Sequence, residues 1–100
     1  MAITVALMLK VRPGKQNELF ETLRTVKKAV ERAGGTYSVR REVAGPVPNG
    51  IITVAQYPDW GQLGKFRSDP ELQKLMDRIR SSSDPAAEPV TATIFEDVAI

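Results

Sequence analysis

The sequence predicts an α+β fold of the ferredoxin-like kind, a four-stranded antiparallel sheet with helices on one face, built in the order βαββαβ. Three observations carry that expectation. Short stretches near both ends and in the middle alternate apolar and polar residues as strands do, two longer stretches repeat every three to four residues as helices do, and clusters of glycine, proline and asparagine separate them. At 100 residues the chain is expected to form one domain, residues 1–100, and to bury roughly two-thirds of its unfolded surface. Its core is therefore thin, and what covers the sheet matters.

Ile3 to Val11 alternates cleanly, with Ile3, Val5, Leu7, Leu9 and Val11 on one side and Thr4, Ala6, Met8 and Lys10 on the other. Arg12-Pro13-Gly14 ends this strand. From about Gln16 the period becomes helical, with Leu19, Phe20, Leu23, Val26, Val30 and Ala33 along one side and charged residues over the rest. Gly34 and Gly35 stop the helix, because glycine accepts the left-handed backbone of a C-terminal cap. Thr36 to Ala44 reads as a second strand and Gly45-Pro46-Val47-Pro48-Asn49-Gly50 as a loop. Ile51 to Tyr57 is apolar on both faces, which places it centrally in a sheet.

Asp59 suits the cap of a short helix in which Trp60, Leu63 and Phe66 recur every third residue; Gly61 and Gly64 weaken this piece and are expected to let it lie close against the sheet. Asp69-Pro70-Glu71 then marks a stronger helix start. The Asp69 carboxylate can accept from free N–H groups of the first turn, Pro70 has no N–H to leave unpaired, and Glu71 favours the positive helix end. Leu72, Leu75, Met76 and Ile79 form one apolar stripe behind it. Ser81 to Pro89 is a polar connection, and Val90 to Val98 alternates as the last strand.

The alternation assigns Ile3 to Leu9 (odd positions), Tyr37, Val39, Ile52, Val54, Val90, Ala92 and Ile94 to the helix-covered face. The other face then holds Thr4, Ala6, Met8, Ser38, Arg40, Glu42, the odd positions Ile51 to Tyr57, Thr91, Thr93 and Phe95. That mixture is too apolar for open water and too polar for a packed core. A second copy of the chain is the partner it predicts, sheet against sheet about a two-fold axis. The small residues Thr4, Ala6, Thr53 and Ala55 would leave a hollow between the sheets, rimmed by Arg40, Glu42 and Tyr57 and suited to a small, partly apolar ligand.

Composition excludes several function classes. The formal charge is +2 with basic and acidic residues interleaved, and no basic stripe carries aromatic residues, so no nucleic-acid partner is expected. The chain has neither cysteine nor histidine, which removes disulfides, Cys/His zinc sites, thiol nucleophiles, histidine bases and histidine haem ligands; no cofactor is expected. No run approaches the ~20 apolar residues that span a bilayer, and the N-terminus alternates like a strand, so the expectation is a cytoplasmic protein with no membrane partner. Ser81, Ser82 and Ser83 have no base beside them, Glu96 and Asp97 point to opposite faces, and Lys10 beside Arg12 reads as solvation of a strand edge. The Gly45 to Gly50 loop lacks the lysine and the following helix of a phosphate loop.

Five residues remain as ligand-binding candidates, each with a structural alternative. Arg40 with Glu42 can clamp a substrate or form an interface ion pair. Tyr57 can donate a proton or simply hydrogen-bond across a dimer. Trp60 can stack on a ligand or pack in a core, and Arg67 can hold a carboxylate or remain solvated. No catalytic set and no metal site is assigned, and the residues leave open whether the chain is an enzyme.

The whole chain resembles the dimeric α/β-barrel superfamily, which includes antibiotic biosynthesis monooxygenase-like, stress-responsive α/β-barrel and NIPSNAP-like proteins. The likeness rests on the first strand closing in Val11-Arg12-Pro13-Gly14-Lys15, on Tyr57-Pro58-Asp59-Trp60, and on Phe66-Arg67-Ser68-Asp69-Pro70-Glu71 leading into the second helix. It implies a homodimer and one of two functions: small-molecule binding, or cofactor-independent monooxygenase or isomerase chemistry on a small aromatic or polycyclic substrate between the sheets. One departure stands out. Many monooxygenase-like relatives have a histidine where this chain has Phe66, which turns the resemblance away from histidine-assisted oxygenases and toward the NIPSNAP-like branch.

Overall fold

The computed structural model describes residues 2–100, and several of its elements start or stop where local chemistry dictates. In chain order they are β1 (Ile3–Val11), α1 (Gln16–Arg32), β2 (Thr36–Arg41), β3 (Ile51–Tyr57), α2 (Trp60–Arg67), α3 (Pro70–Ser81) and β4 (Ala87–Glu96). The Asp59 carboxylate accepts from Gly61 N (2.8 Å) and Gln62 N (3.2 Å) to start α2. Asp69 does the same for α3, accepting from Glu71 N (3.0 Å) and Leu72 N (3.2 Å). At the other end of α1, Gly34 adopts φ +82° and Gly35 N donates to Val30 O at 2.9 Å, satisfying carbonyls the helix would leave unpaired. Gly35 also has no room for a side chain, since a Cβ there would lie 2.8 Å from Gln56 O and 2.9 Å from the Tyr57 ring.

The four strands form one antiparallel sheet in the order β2-β3-β1-β4, the ferredoxin-like arrangement, with β3 and β1 central. α1 lies against β2, and α3 leans on α1 and α2. The core occupies the helix side in two clusters. Ile3, Val30, Ala33, Ala55, Tyr57 and Leu63 form one, and Leu9, Leu19, Leu23 and Ile51 form the other.

The structure corrects the sequence reading of β3. Its register places Ile3 opposite Tyr57, Val5 opposite Ala55, Leu7 opposite Thr53 and Leu9 opposite Ile51, and paired residues share a face. Ile51, Thr53, Ala55 and Tyr57 are accordingly buried under the helices, and Ile52 and Val54 belong to the open face. A strand apolar on both sides carries no alternation to orient it, so a one-residue ambiguity inverted the assignment.

Three smaller differences follow from what surrounds each segment. β2 stops at Arg41 because Glu42 turns into the loop, its N–H donating to Gly50 O at 2.8 Å. β4 begins earlier, at Ala87, and contains a register shift opposite Met8 and Leu9 that leaves Val90 as the extra residue. The helices do not roof β4 or the outer part of β2, so Val39, Val90 and Ile94, expected in the core, are exposed. Neither Gly61 nor Gly64 brings α2 close to the sheet, for a Cβ at Gly64 would meet nothing within 4 Å and one at Gly61 only the Asp59 carboxylate.

Candidate functional site

The five candidate residues fall in three separate places. Arg40 stands exposed on the open face of β2, opposite Ile52. Glu42 does not pair with it: its carboxylate accepts a hydrogen bond from Val47 N, and its carbonyl accepts from Asn49 N at 2.9 Å, so the side chain builds the β2–β3 loop. Tyr57, Trp60 and Arg67 gather around the opposite end of β3. Trp60 is about half exposed and its Nε1 donates to Glu96 Oε2 at 3.2 Å, tying the start of α2 to the end of β4. Arg67 is exposed at the end of α2, where its carbonyl accepts from the Gln73 side chain.

Tyr57 does not rim an open-face hollow. It is 2% exposed, its ring lies 5.8 Å from that of Phe66, and its hydroxyl has no hydrogen-bond partner among the described residues. Burial, reinforced by Tyr37, pushes this hydroxyl up to about 12 against the opposing charge of Arg67. Burial likewise raises Tyr37 to about 12, opposed by a hydrogen bond with Thr53. Both phenols therefore stay protonated at neutral pH and act as donors, not bases. An unpaired buried hydroxyl carries a desolvation cost, so Tyr57→Phe is expected to keep or raise stability, by about 1 kcal/mol in urea unfolding. A clear loss would mean that the hydroxyl has a partner in the working protein.

The open face, with β3 correctly oriented, takes Ile52, Val54 and Gln56 from that strand. Ala6 faces Val54 and Met8 faces Ile52 across the two central strands, with Ser38 and Arg40 on β2 beside them. On β4, Thr91 and Thr93 flank Met8 and Ala6, and Phe95 is half exposed beside Thr4.

One end of this surface sinks into a cleft of about 600 Å³, formed where β1 runs past the start of β3. Its floor is Lys10 to Arg12, its walls are the Pro46 to Gly50 loop and Val90, and Gly14 and Gln16 close the end. Sequence reasoning missed it. Lys10 and Arg12 read as edge solvation, although the two prolines of a long hairpin loop, facing a strand that outlasts its partner, were the available signal. A second, smaller hollow of about 310 Å³ lies between α1 and β2, with Phe20, Leu23, Tyr37 and Val39 below and Arg24 and Lys27 on its rim. Arg24 there is held by Glu21. Among the described residues no group of three or more acidic side chains could hold a metal ion, and no helix is long and apolar enough to cross a membrane.

No family model matches the sequence, and no curated protein matches it. Solved structures do. Rv0793 from Mycobacterium tuberculosis superimposes with a TM-score of 0.74 at 14% identity, covering 100% of this chain and 98% of that one. SnoaB from Streptomyces nogalater, a cofactor-independent oxygenase, matches with a TM-score of 0.74 at 13% identity over 99% of this chain and 95% of its own. A candidate antibiotic biosynthesis monooxygenase from Deinococcus radiodurans gives 0.74 at 15% over 100% and 95%. The structural neighbours thus include antibiotic biosynthesis monooxygenase-like proteins, in agreement with the resemblance drawn from the sequence. At these identities what is shared is the fold.

Proposed function

We propose that the chain works as a two-fold homodimer, closed through the open face of the sheet, that binds a small, partly apolar organic molecule. The observation that carries this reading is the group Ala6, Met8, Ile52 and Val54 standing together on the two central strands, on the side away from the helices. An apolar patch at the centre of a sheet, rimmed by Thr, Ser and Arg side chains, is the pattern of a self-complementary interface. The adjoining cleft supplies a ligand-sized volume that the face alone lacks.

The likeness to SnoaB supports a second reading, a cofactor-independent oxygenase acting on a small aromatic or polycyclic substrate, with Arg40, Trp60 and Arg67 as candidate contacts. Tyr57, buried in the helix-side core, is not among them.

Light scattering across a dilution series tests the assembly, and the expected mass is twice that of one chain at micromolar concentration. A folded monomer there removes the dimer. Oxygen uptake with quinol-type substrates tests the second reading. Its absence, or a rate unchanged in both Arg40→Ala and Trp60→Phe, removes the enzyme built on these residues.

A further inference from the structure

We infer that the cleft between the end of β1 and the β2–β3 loop takes an organic acid, an apolar body ending in a carboxylate or similar anion. The inference rests on the small-molecule reading above and names the chemistry of its ligand. The volume, about 600 Å³, lies within the range that holds small ligands. Val11, Pro13, Pro46, Val47, Pro48 and Val90 give it apolar walls.

Its charge is one-sided. The lining includes two cations, Lys10 and Arg12, and no carboxylate. Like most of the chain's cations, Lys10 and Arg12 form no ion pair among the described residues; what sets them apart is that they share one cleft. Among the nearby acids, Asp84 feels the charge of Arg12 without forming an ion pair with it. Glu42 accepts from Val47 N, Glu18 and Asp84 hold Lys15, and Glu88, opposite Lys10 in register, makes no ion pair with it. An incoming anion would meet a planar fork of donors from Arg12, a point charge from Lys10, and the side-chain amides of Gln16 and Asn49.

The walls are fixed before any ligand arrives. On one side Glu42 N donates to Gly50 O, Asn49 N to Glu42 O and Gly50 N to Val47 O, all within 2.9 Å; on the other, Arg12 N donates to Ala86 O (2.9 Å) and Lys15 N to Arg12 O (3.0 Å). A preformed site spends little binding energy on ordering its own loops.

The test compares two probes of one shape, naphthoate and the neutral naphthylmethanol, by calorimetric titration and amide chemical-shift mapping. Naphthoate is expected to bind at least tenfold tighter, moving the amides of Gly14, Gln16, Val47, Asn49 and Gly50. Lys10→Gln with Arg12→Gln is expected to erase that preference, Arg12→Lys to retain part of it, and Lys74→Gln, exposed on α3 and outside the cleft, to leave it intact. Equal affinity for the two probes, a preference that survives the double substitution, or shifts confined to another surface overturns the acid-binding inference while leaving small-molecule binding in place. Failure of both probes to bind up to millimolar concentration overturns both.

Discussion

If the proposed dimer forms through the open face, Val54→Glu is expected to convert it to a monomer, with the dissociation constant rising at least a hundredfold and the monomer's fold preserved. Val54 pairs with Ala6 on one side and Ser38 on the other, at the middle of the open face and away from both core clusters. In the free chain a glutamate there points into water at little cost. Inside a sheet-on-sheet interface two such carboxylates, one from each copy, meet near the two-fold axis with no cation positioned to pair them. Desolvating an unpaired charge costs several kcal/mol per ion, and like-charge repulsion adds to it. Ile52→Glu is the milder companion, because Arg40 stands opposite it. Sedimentation velocity together with circular dichroism checks the pair; a Val54→Glu protein that sediments with the wild-type dimer would mean that the copies meet elsewhere.

The size of that face also says what else the proposed dimer needs. Strands spaced about 4.8 Å apart and rising about 3.3 Å per residue give a four-stranded sheet of this length a flat area of roughly 500 Å². A stable interface takes about 800 Å² from each partner. The surroundings of the sheet must supply the rest, and the apolar candidates are at its margins: Phe95, Val98 and Ile100 after and at the end of β4, and Val43 in the β2–β3 loop, all exposed in the single chain.

What the sequence made legible followed from local chemistry. Asp59 and Asp69 declared two helix starts, Gly34 and Gly35 a helix stop, and the alternation in Ile3 to Val11 a two-faced strand; each is a signal contained within a few residues. Orientation of β3 was not local. Ile51 to Tyr57 is apolar on both sides, so only its pairing with β1 decides which side the helices cover, and that choice moved Tyr57 from an expected pocket rim into the core. The cleft was hidden for a related reason. Lys10 and Arg12 acquire a shared setting only because a loop more than thirty positions later folds beside them. Of the five candidate residues, Glu42 is held by Val47 within its own loop, whereas the Trp60 indole N–H reaches Glu96, a partner distant in sequence that no local pattern reveals.

Asp69→Ala lowers Tm by roughly 5 °C or more and removes part of the protein's sensitivity to acid. One carboxylate does two jobs at the start of α3. It caps the helix through Glu71 N and Leu72 N, and it receives the Arg32 fork, Nε at 2.8 Å and Nη2 at 2.9 Å, which locks the end of α1 to the start of α3. The Arg32 hydrogen bonds, helped by the cap, hold the Asp69 carboxyl down to about 2 from its ordinary 3.8. A depressed folded value means that the stabilisation is present above the unfolded value and is lost as protons bind the folded form, here as pH falls from about 4 toward 2. Asp69→Asn separates the two jobs, since asparagine caps nearly as well yet offers no charge: it should keep most of the thermal stability while flattening the acid limb. Some slope remains even then, because Lys15 also holds the Asp84 carboxyl below its ordinary value. Arg32→Gln in the Asp69→Asn background should add little beyond either single change, as partners in one ion pair do. Thermal melts at neutral pH and at pH values stepped through the acid limb measure wild type, the three single variants and the double variant. Parallel pH profiles for wild type and Asp69→Asn would show that the Arg32 contact contributes nothing in solution and that capping alone positions α3.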